Sequence, residues 1–227
     1  MDLIIILLAV ISLIISLGAQ SYIKSSYSKY AKVLAKKGLT GKEVARLILD
    51  KNDLKKVDVG NVTGYLSDHY DPSLKIVNLS NDNYNGTGIA NVAVAAHECG
   101  HAIQDKEGYQ FMRIRHSLVP LVNLSSYAGY FAIVIGCLTG LFGLIYLGIL
   151  LESVILLFQL ITLPVEIDAS SRALKKIKEY KILDEKELTS GKKVLTAAAL
   201  TYVAGVATAI IQILRLVLIY GRKGNRR

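Results

Sequence analysis

The sequence predicts a mainly α integral membrane protein with about four transmembrane helices and one polar region carrying a few short β-strands. Two observations predict this class. The chain has 227 residues, 52% hydrophobic and 20% charged, with a mean hydropathy of +0.40. Soluble chains reach roughly 45–50% apolar only when Gly is included, so part of this chain is suited to lipid. The apolar residues are also segregated into long blocks separated by Lys-rich segments, which excludes disorder for most of the length. The net charge of +9 and a pI near 9.4 suit either nucleic acid or anionic lipid, and the apolar excess favours lipid. Cys99 and Cys137 are too few for a disulfide framework.

The first element, residues 1–19, is a transmembrane anchor. Leu3 to Leu17 is an almost unbroken Leu/Ile/Val run, preceded by Asp2 and followed by Lys24, Lys29, Lys32, Lys36 and Lys37. A cleaved signal peptide needs positive charge ahead of the run, which is missing here. Charge bias places Asp2 outside and the lysines in the cytoplasm. Residues 20–117 form the sizeable polar region. Within it, residues 25–37 have the lysine spacing of a helix along an anionic surface or of a solvated helix. Thr40 to Glu43 reads as a capping box opening a short helix. Val57 to Leu66 and Leu74 to Leu79 read as strands, with the Ser/Asn/Gly-rich stretch 80–88 as a loop.

Residues 118–164 are too long for one crossing and predict a transmembrane hairpin, reversing near Gly136, Gly140 and Gly143, with Pro120 near its first turn and Pro164 closing its second helix. The hairpin returns the chain to its starting side. Residues 165–193 are then a second cytoplasmic segment. Residues 194–227 form a last, small-residue-rich transmembrane helix with a basic tail. Lys and Arg number 14 in residues 20–117 and 8 in residues 166–193, against 4 after Tyr220. That majority sets the polar segments in the cytoplasm, and the tail runs against it.

Ile89 to Gln104 reads as a helix carrying His97-Glu98-Cys99-Gly100-His101, the pattern HExxH. Residues four apart share a helix face, so two neutral imidazoles can converge on one Zn²⁺ while Glu98 reaches the adjacent water as general base. Catalytic zinc takes a third protein ligand. Gln104 and Glu107 fail the extended HExxHxxGxxH pattern. His69, His116, Glu107, Glu152 and Glu166 are the candidates, and the hairpin favours Glu166 by returning it to the face that His101 leaves. Cys99 points away from the metal face and reads as a small buried filler.

"VAAHECGHAIQ", a Leu-Val-Pro run into a hairpin, and "LPVEIDAS" at its exit resemble the YugP-type membrane zinc metallopeptidases over most of the chain. A more distant resemblance, HExxH with a later Glu-x-x-Ala, is to the HtpX-type gluzincins. The resemblance implies an HExxH zincin-like catalytic region, one Zn²⁺ on His97, His101 and Glu166, and Glu98 as base. Ser170 stands where the HtpX pattern has Asp, and Asp168 is the candidate to orient a histidine in its place.

The expected activity is peptide-bond hydrolysis on peptide or protein substrates by a multi-pass cell-membrane protein whose site faces the cytoplasm. His69, Tyr70, His116 and Arg172 are candidates for stabilising the oxyanion. The strand Lys75 to Leu79 offers either a substrate edge or a purely structural element. Two other readings are a non-catalytic membrane scaffold or adaptor and a site-2-like intramembrane protease. The polar residues bounding the HExxH helix disfavour the second. Anionic lipid accounts for the basic clusters beside the spans, so no nucleic-acid partner is expected.

Overall fold

The computed structural model describes residues 2–220. Seven helices and three strands follow in the order α1 (Asp2–Ala31), α2 (Gly41–Lys51), β1 (Asp58–Val62), β2 (His69–Asp71), β3 (Ile76–Ser80), α3 (Asn81–Asn85), α4 (Ile89–Lys106), α5 (Gln110–Thr139), α6 (Phe142–Glu179) and α7 (Glu185–Tyr220). Among the described residues, four helices are long and apolar enough to cross a membrane: α1, α5, α6 and α7. The basic tail 221–227 lies outside the described residues.

The chain divides into two units. One gathers residues up to Gln20, Ile114–Leu163 and residues from Thr201 onwards; the other holds Ser21–Arg113 and Pro164–Leu200. In the first unit Gly129 meets Leu151, Gly148 meets Ile133, and Gly136 meets Ile145, the antiparallel pairing of a helical hairpin. The reversal falls at Gly140, whose φ of +73° is a left-handed conformation that glycine adopts without strain. Cys137 Sγ lies 3.0 Å from the Tyr220 hydroxyl, so the end of α7 and the hairpin turn share one end of this unit. Large apolar side chains such as Leu138, Leu150 and Leu157 point outwards, the reverse of a water-soluble core.

The second unit has an ordinary interior. Val44, Ile48 and Leu49 of α2, Val77 and Leu79 of β3, and Ile89, Val92 and Ala96 of α4 are completely or almost completely buried. Thr40 and Glu43 cap α2 reciprocally, as the sequence predicts. The sheet has the order β1-β3-β2. β1 runs parallel to β3, with Asp58 opposite Ile76, and β2 runs antiparallel to it, with Tyr70 opposite Val77.

Several expected elements shift. The first expected strand ends at Val62, because Gly64 and Leu66 both take positive φ and break the extended run. The "DHYDP" stretch contains β2, and the Asp71 carboxylate accepts from the backbone N–H of Ser73 and Leu74 to close the turn that follows. The strand Lys75 to Leu79 corresponds to β3, the centre of the sheet, so it presents no edge to a substrate. The lysine-rich stretch 25–37 is no separate surface helix. α1 continues to Ala31 with Tyr27 and Tyr30 buried in the protein core, and Leu34 pairs with Gly88 in an isolated antiparallel bridge.

Pro120 and Pro164, the two hairpin prolines, sit inside helices rather than at their ends. Pro120 is well within α5, and α6 runs through Pro164 to Glu179. Proline removes one helical hydrogen bond and crowds the preceding turn. Val165, Ala169, Ala173 and Ile177, at spacings of four, are nevertheless all at most 1% exposed. That buried stripe carries the helix past the break. α7 likewise starts nine residues before Val194, at Glu185, where Asp184 and Glu187 exchange backbone-to-carboxylate hydrogen bonds.

Candidate metal centre

The centre is built from α4 and the part of α6 after Pro164, both in the second unit. These helices approach closely because of Gly100. A Cβ at that position would stand 2.5 Å from the Ala169 carbonyl oxygen, closer than any side chain tolerates. The glycine inside the HExxH motif therefore lets the helix bearing the histidines lie against the helix bearing Glu166.

His97 and His101 pack edge to face, with ring centroids 4.8 Å apart. Their Nε2 atoms lie 3.2 and 3.6 Å from the same Glu166 oxygen, Oε2. The ligand atoms of the three residues all fall within 4.8 Å of one another. Ligands about 2.0–2.1 Å from a tetrahedral zinc stand roughly 3.3 Å apart, so two imidazoles and a carboxylate at these spacings fit the ion in number, type and separation. Each Nδ1 is engaged elsewhere: that of His101 is 2.9 Å from Gln104 Oε1, and that of His97 is 3.1 Å from Ser170 Oγ. The Nε2 atoms are thereby the ones that converge.

Burial opposes charge on the Glu166 carboxyl, but hydrogen bonds from His101 and His97 outweigh it and hold its pKa well below the carboxylate range. On His101 burial disfavours the proton, and the Glu166 hydrogen bond and charge overcome that, raising its pKa. Glu98 is 7% exposed. Burial pushes its pKa up; His97 and His101 pull it down, and Glu166 and Asp68 reinforce the rise. A glutamate with that balance, beside a cluster able to hold a dication, is suited to taking a proton and giving it back. Cys99 is completely buried, its thiol donating weakly to the Ala45 carbonyl and raised in pKa by burial, as a filler should be.

Residues 5–221 match the family described as "Putative neutral zinc metallopeptidase". The chain belongs to that family. It is also 45% identical over 222 residues to the "Putative membrane protease YugP" of Bacillus subtilis (strain 168), across 97% of this chain and 99% of that protein. No solved structure gives a significant match. The family expected from "VAAHECGHAIQ" and "LPVEIDAS" is thus the one found, and membership implies zinc at a site whose donors fit it.

The remaining sequence candidates are dispersed. Asp168 touches neither histidine; its carboxylate accepts from Gln104 Nε2 and Arg172 Nε. Arg172 also pairs with Glu107, at the end of α4. His69 is exposed, its ring held between the Ser67 carbonyl and the Asn78 amide. The Tyr70 hydroxyl donates to Asp105, 2.7 Å away. His116 lies on α5, in the other unit, and Glu152 in the apolar part of α6. Neither belongs to the His97–His101–Glu166 group. Sequence reasoning passed over Gln104 and Ser170 as contacts of the histidines. Their signal was helical spacing: Gln104 is three residues after His101, and Ser170 is four after Glu166. It also passed over Asp68, which accepts from Ser80 and Asn83 within electrostatic reach of Glu98 and had no such signal.

Proposed function

We propose that the protein is a multi-pass, membrane-bound zinc metalloendopeptidase of the gluzincin type, with His97, His101 and Glu166 as ligands of one Zn²⁺ and Glu98 as general base. The observation that carries this is the convergence of both imidazole Nε2 atoms on one Glu166 oxygen next to a buried Glu98. When bound, zinc lowers the pKa of water towards neutrality and polarises a carbonyl oxygen. Glu98 takes the proton of the attacking water and delivers it to the leaving amine nitrogen. Glu166, His97 and His101 hold the constellation, and burial of Glu98 and Glu166 excludes competing solvent. Of the candidates for oxyanion stabilisation, Arg172 is held by Asp168 and Glu107 and the His69 ring by the Ser67 carbonyl and the Asn78 amide, so either must give up one of those bonds to serve that role.

The polar segments that carry this site hold most of the Lys and Arg, which supports a cytoplasmic site beside an anionic lipid surface, acting on peptide or protein substrates. The test is Glu98→Gln in the detergent-solubilised full chain with an unfolded polypeptide as substrate. Zinc content stays at wild-type level and turnover falls by about 10²- to 10⁴-fold. Full cleavage by a zinc-loaded Glu98→Gln variant would sink the mechanism. Absence of cleavage by the zinc-loaded wild type would favour a scaffold that holds metal without hydrolysis.

A further inference from the structure

We propose that Gln104 is the positioning residue of the zinc centre: one buried amide selects which nitrogen of His101 faces the metal and holds the Glu166 segment against it. The proposal rests on the zinc-peptidase reading. Gln104 is completely buried, where a primary amide is costly unless its polar groups are paired. Its Nε2 lies 2.8 Å from the Val165 carbonyl and 2.8 Å from Asp168 Oδ2. A backbone carbonyl only accepts, and the Asp168 carboxylate is itself accepting from Arg172. The amide therefore has one orientation, with its NH₂ towards α6 and its oxygen towards α4.

That orientation fixes the histidine. Gln104 Oε1 stands 2.9 Å from His101 Nδ1 and can only accept, so Nδ1 carries the proton. The lone pair is then on Nε2, the nitrogen facing Glu166. The same amide grips Val165 and Asp168, which flank Glu166 in sequence, so one side chain sets two ligands at once. Arg172 extends the clamp by bonding both Asp168 and Glu107. The two histidines are not equivalent in this respect. His97 Nδ1 meets the Ser170 hydroxyl, which donates or accepts and so selects no tautomer.

The test uses the full chain in detergent, with zinc affinity from chelator competition and ring ¹⁵N shifts of His101. Gln104→Leu keeps the volume and removes both ends of the amide; zinc affinity falls about 10- to 100-fold. Ser170→Ala costs clearly less. Since leucine could disturb packing, Gln104→Met is the second variant: an unbranched side chain of similar reach with no donor or acceptor at the amide position, it loses zinc affinity as leucine does while its melting temperature stays near that of the wild type. In metal-free protein the His101 Nδ1 proton is held in a hydrogen bond and exchanges slowly in wild type, and it loses that protection in Gln104→Leu, which tests the pairing even if no zinc binds. Wild-type affinity in Gln104→Leu or Gln104→Met, or zinc on His101 Nδ1, overturns the proposal. A wild type that takes up no zinc overturns the metallopeptidase reading instead.

Discussion

The two halves of α6 answer to different surroundings. Between Phe142 and Leu163, Leu150, Leu157 and Leu160 point outwards. Between Pro164 and Glu179 the buried stripe is Val165, Ala169, Ala173 and Ile177, and Lys175 and Lys178 lie outside. Each half carries a glutamate that must be explained. Glu166 is 3% exposed and is met by two histidines. Glu152 is half-buried in an apolar stretch of sequence and lies outside the ligand group. One helix thus changes from an apolar to a polar outward surface within its length, and of these two glutamates Glu166 is the one equipped for chemistry.

The largest expected effect breaks the pair of acids apart. Glu166→Ala lowers zinc affinity by more than about 100-fold, or roughly 2.7 kcal/mol, beyond the loss typical of an outer-shell partner. Glu152→Leu leaves it unchanged. Chelator competition measures both, and equal losses would mean that the ligand set is wrong. The next effect concerns the surfaces. Leu157→Arg puts a charge on the outward face of the apolar half and costs about 2.5–3.5 kcal/mol of insertion, whereas Lys175→Leu does not impair membrane integration. Resistance to alkaline extraction reports the difference; integration of Leu157→Arg at wild-type yield contradicts the lipid-facing assignment.

Glycines give a smaller contrast within the second unit. Gly100→Ala drives a Cβ to 2.5 Å from the Ala169 carbonyl and destabilises the packing of α4 on α6 by about 1–3 kcal/mol. Gly191 in α7 has its nearest neighbours at 3.6–3.8 Å, so Gly191→Ala meets ordinary contacts and gains about 0.5–1 kcal/mol in a helix interior. Thermal melting of the two variants should move in opposite directions. Identical melts would mean that α4 and α6 do not approach at Gly100.

The apolar helices and the HExxH helix were legible because a single property, hydropathy or the spacing of two histidines, marks each. Glu166 needed the hairpin argument as well as the family resemblance, since 64 residues separate it from His101. The helix ends were misread where tertiary burial outweighs a local breaker. Pro164 is a stop signal on its own, yet the stripe from Val165 to Ile177 is buried and continues the helix. The start of α7 was written in Asp184 and Glu187, a capping pair lying ahead of the apolar run used to place the helix. β2 was illegible: three residues carry no alternation, and only pairing with β3 defines them. Asp68 acts on Glu98 only through its charge, from a loop whose path no periodicity encodes.

The smallest effect is a proton linkage confined to the second unit. In the metal-free protein the Glu166 hydrogen bond and charge overcome burial and raise the pKa of His101. His101 therefore keeps its proton at pH values where an ordinary imidazole, near about 6.5, has lost it. Zinc needs the neutral ring, so binding must displace that proton. Affinity then rises with pH throughout the range below the raised value, by at most tenfold per unit for this one proton, and levels off above it. The stability of the metal-free protein moves the other way. The His101 proton stabilises the fold fully below the unfolded histidine pKa, and this contribution is lost as pH rises through the raised folded value. Glu98→Gln removes one of the charges holding the proton while keeping every ligand, so it shifts the window downwards. Calorimetric zinc titrations in two buffers of different ionisation enthalpy count the protons released. No release just above the ordinary histidine pKa would mean that Glu166 does not hold His101 protonated, and that the two residues are further apart in the metal-free protein than 3.6 Å.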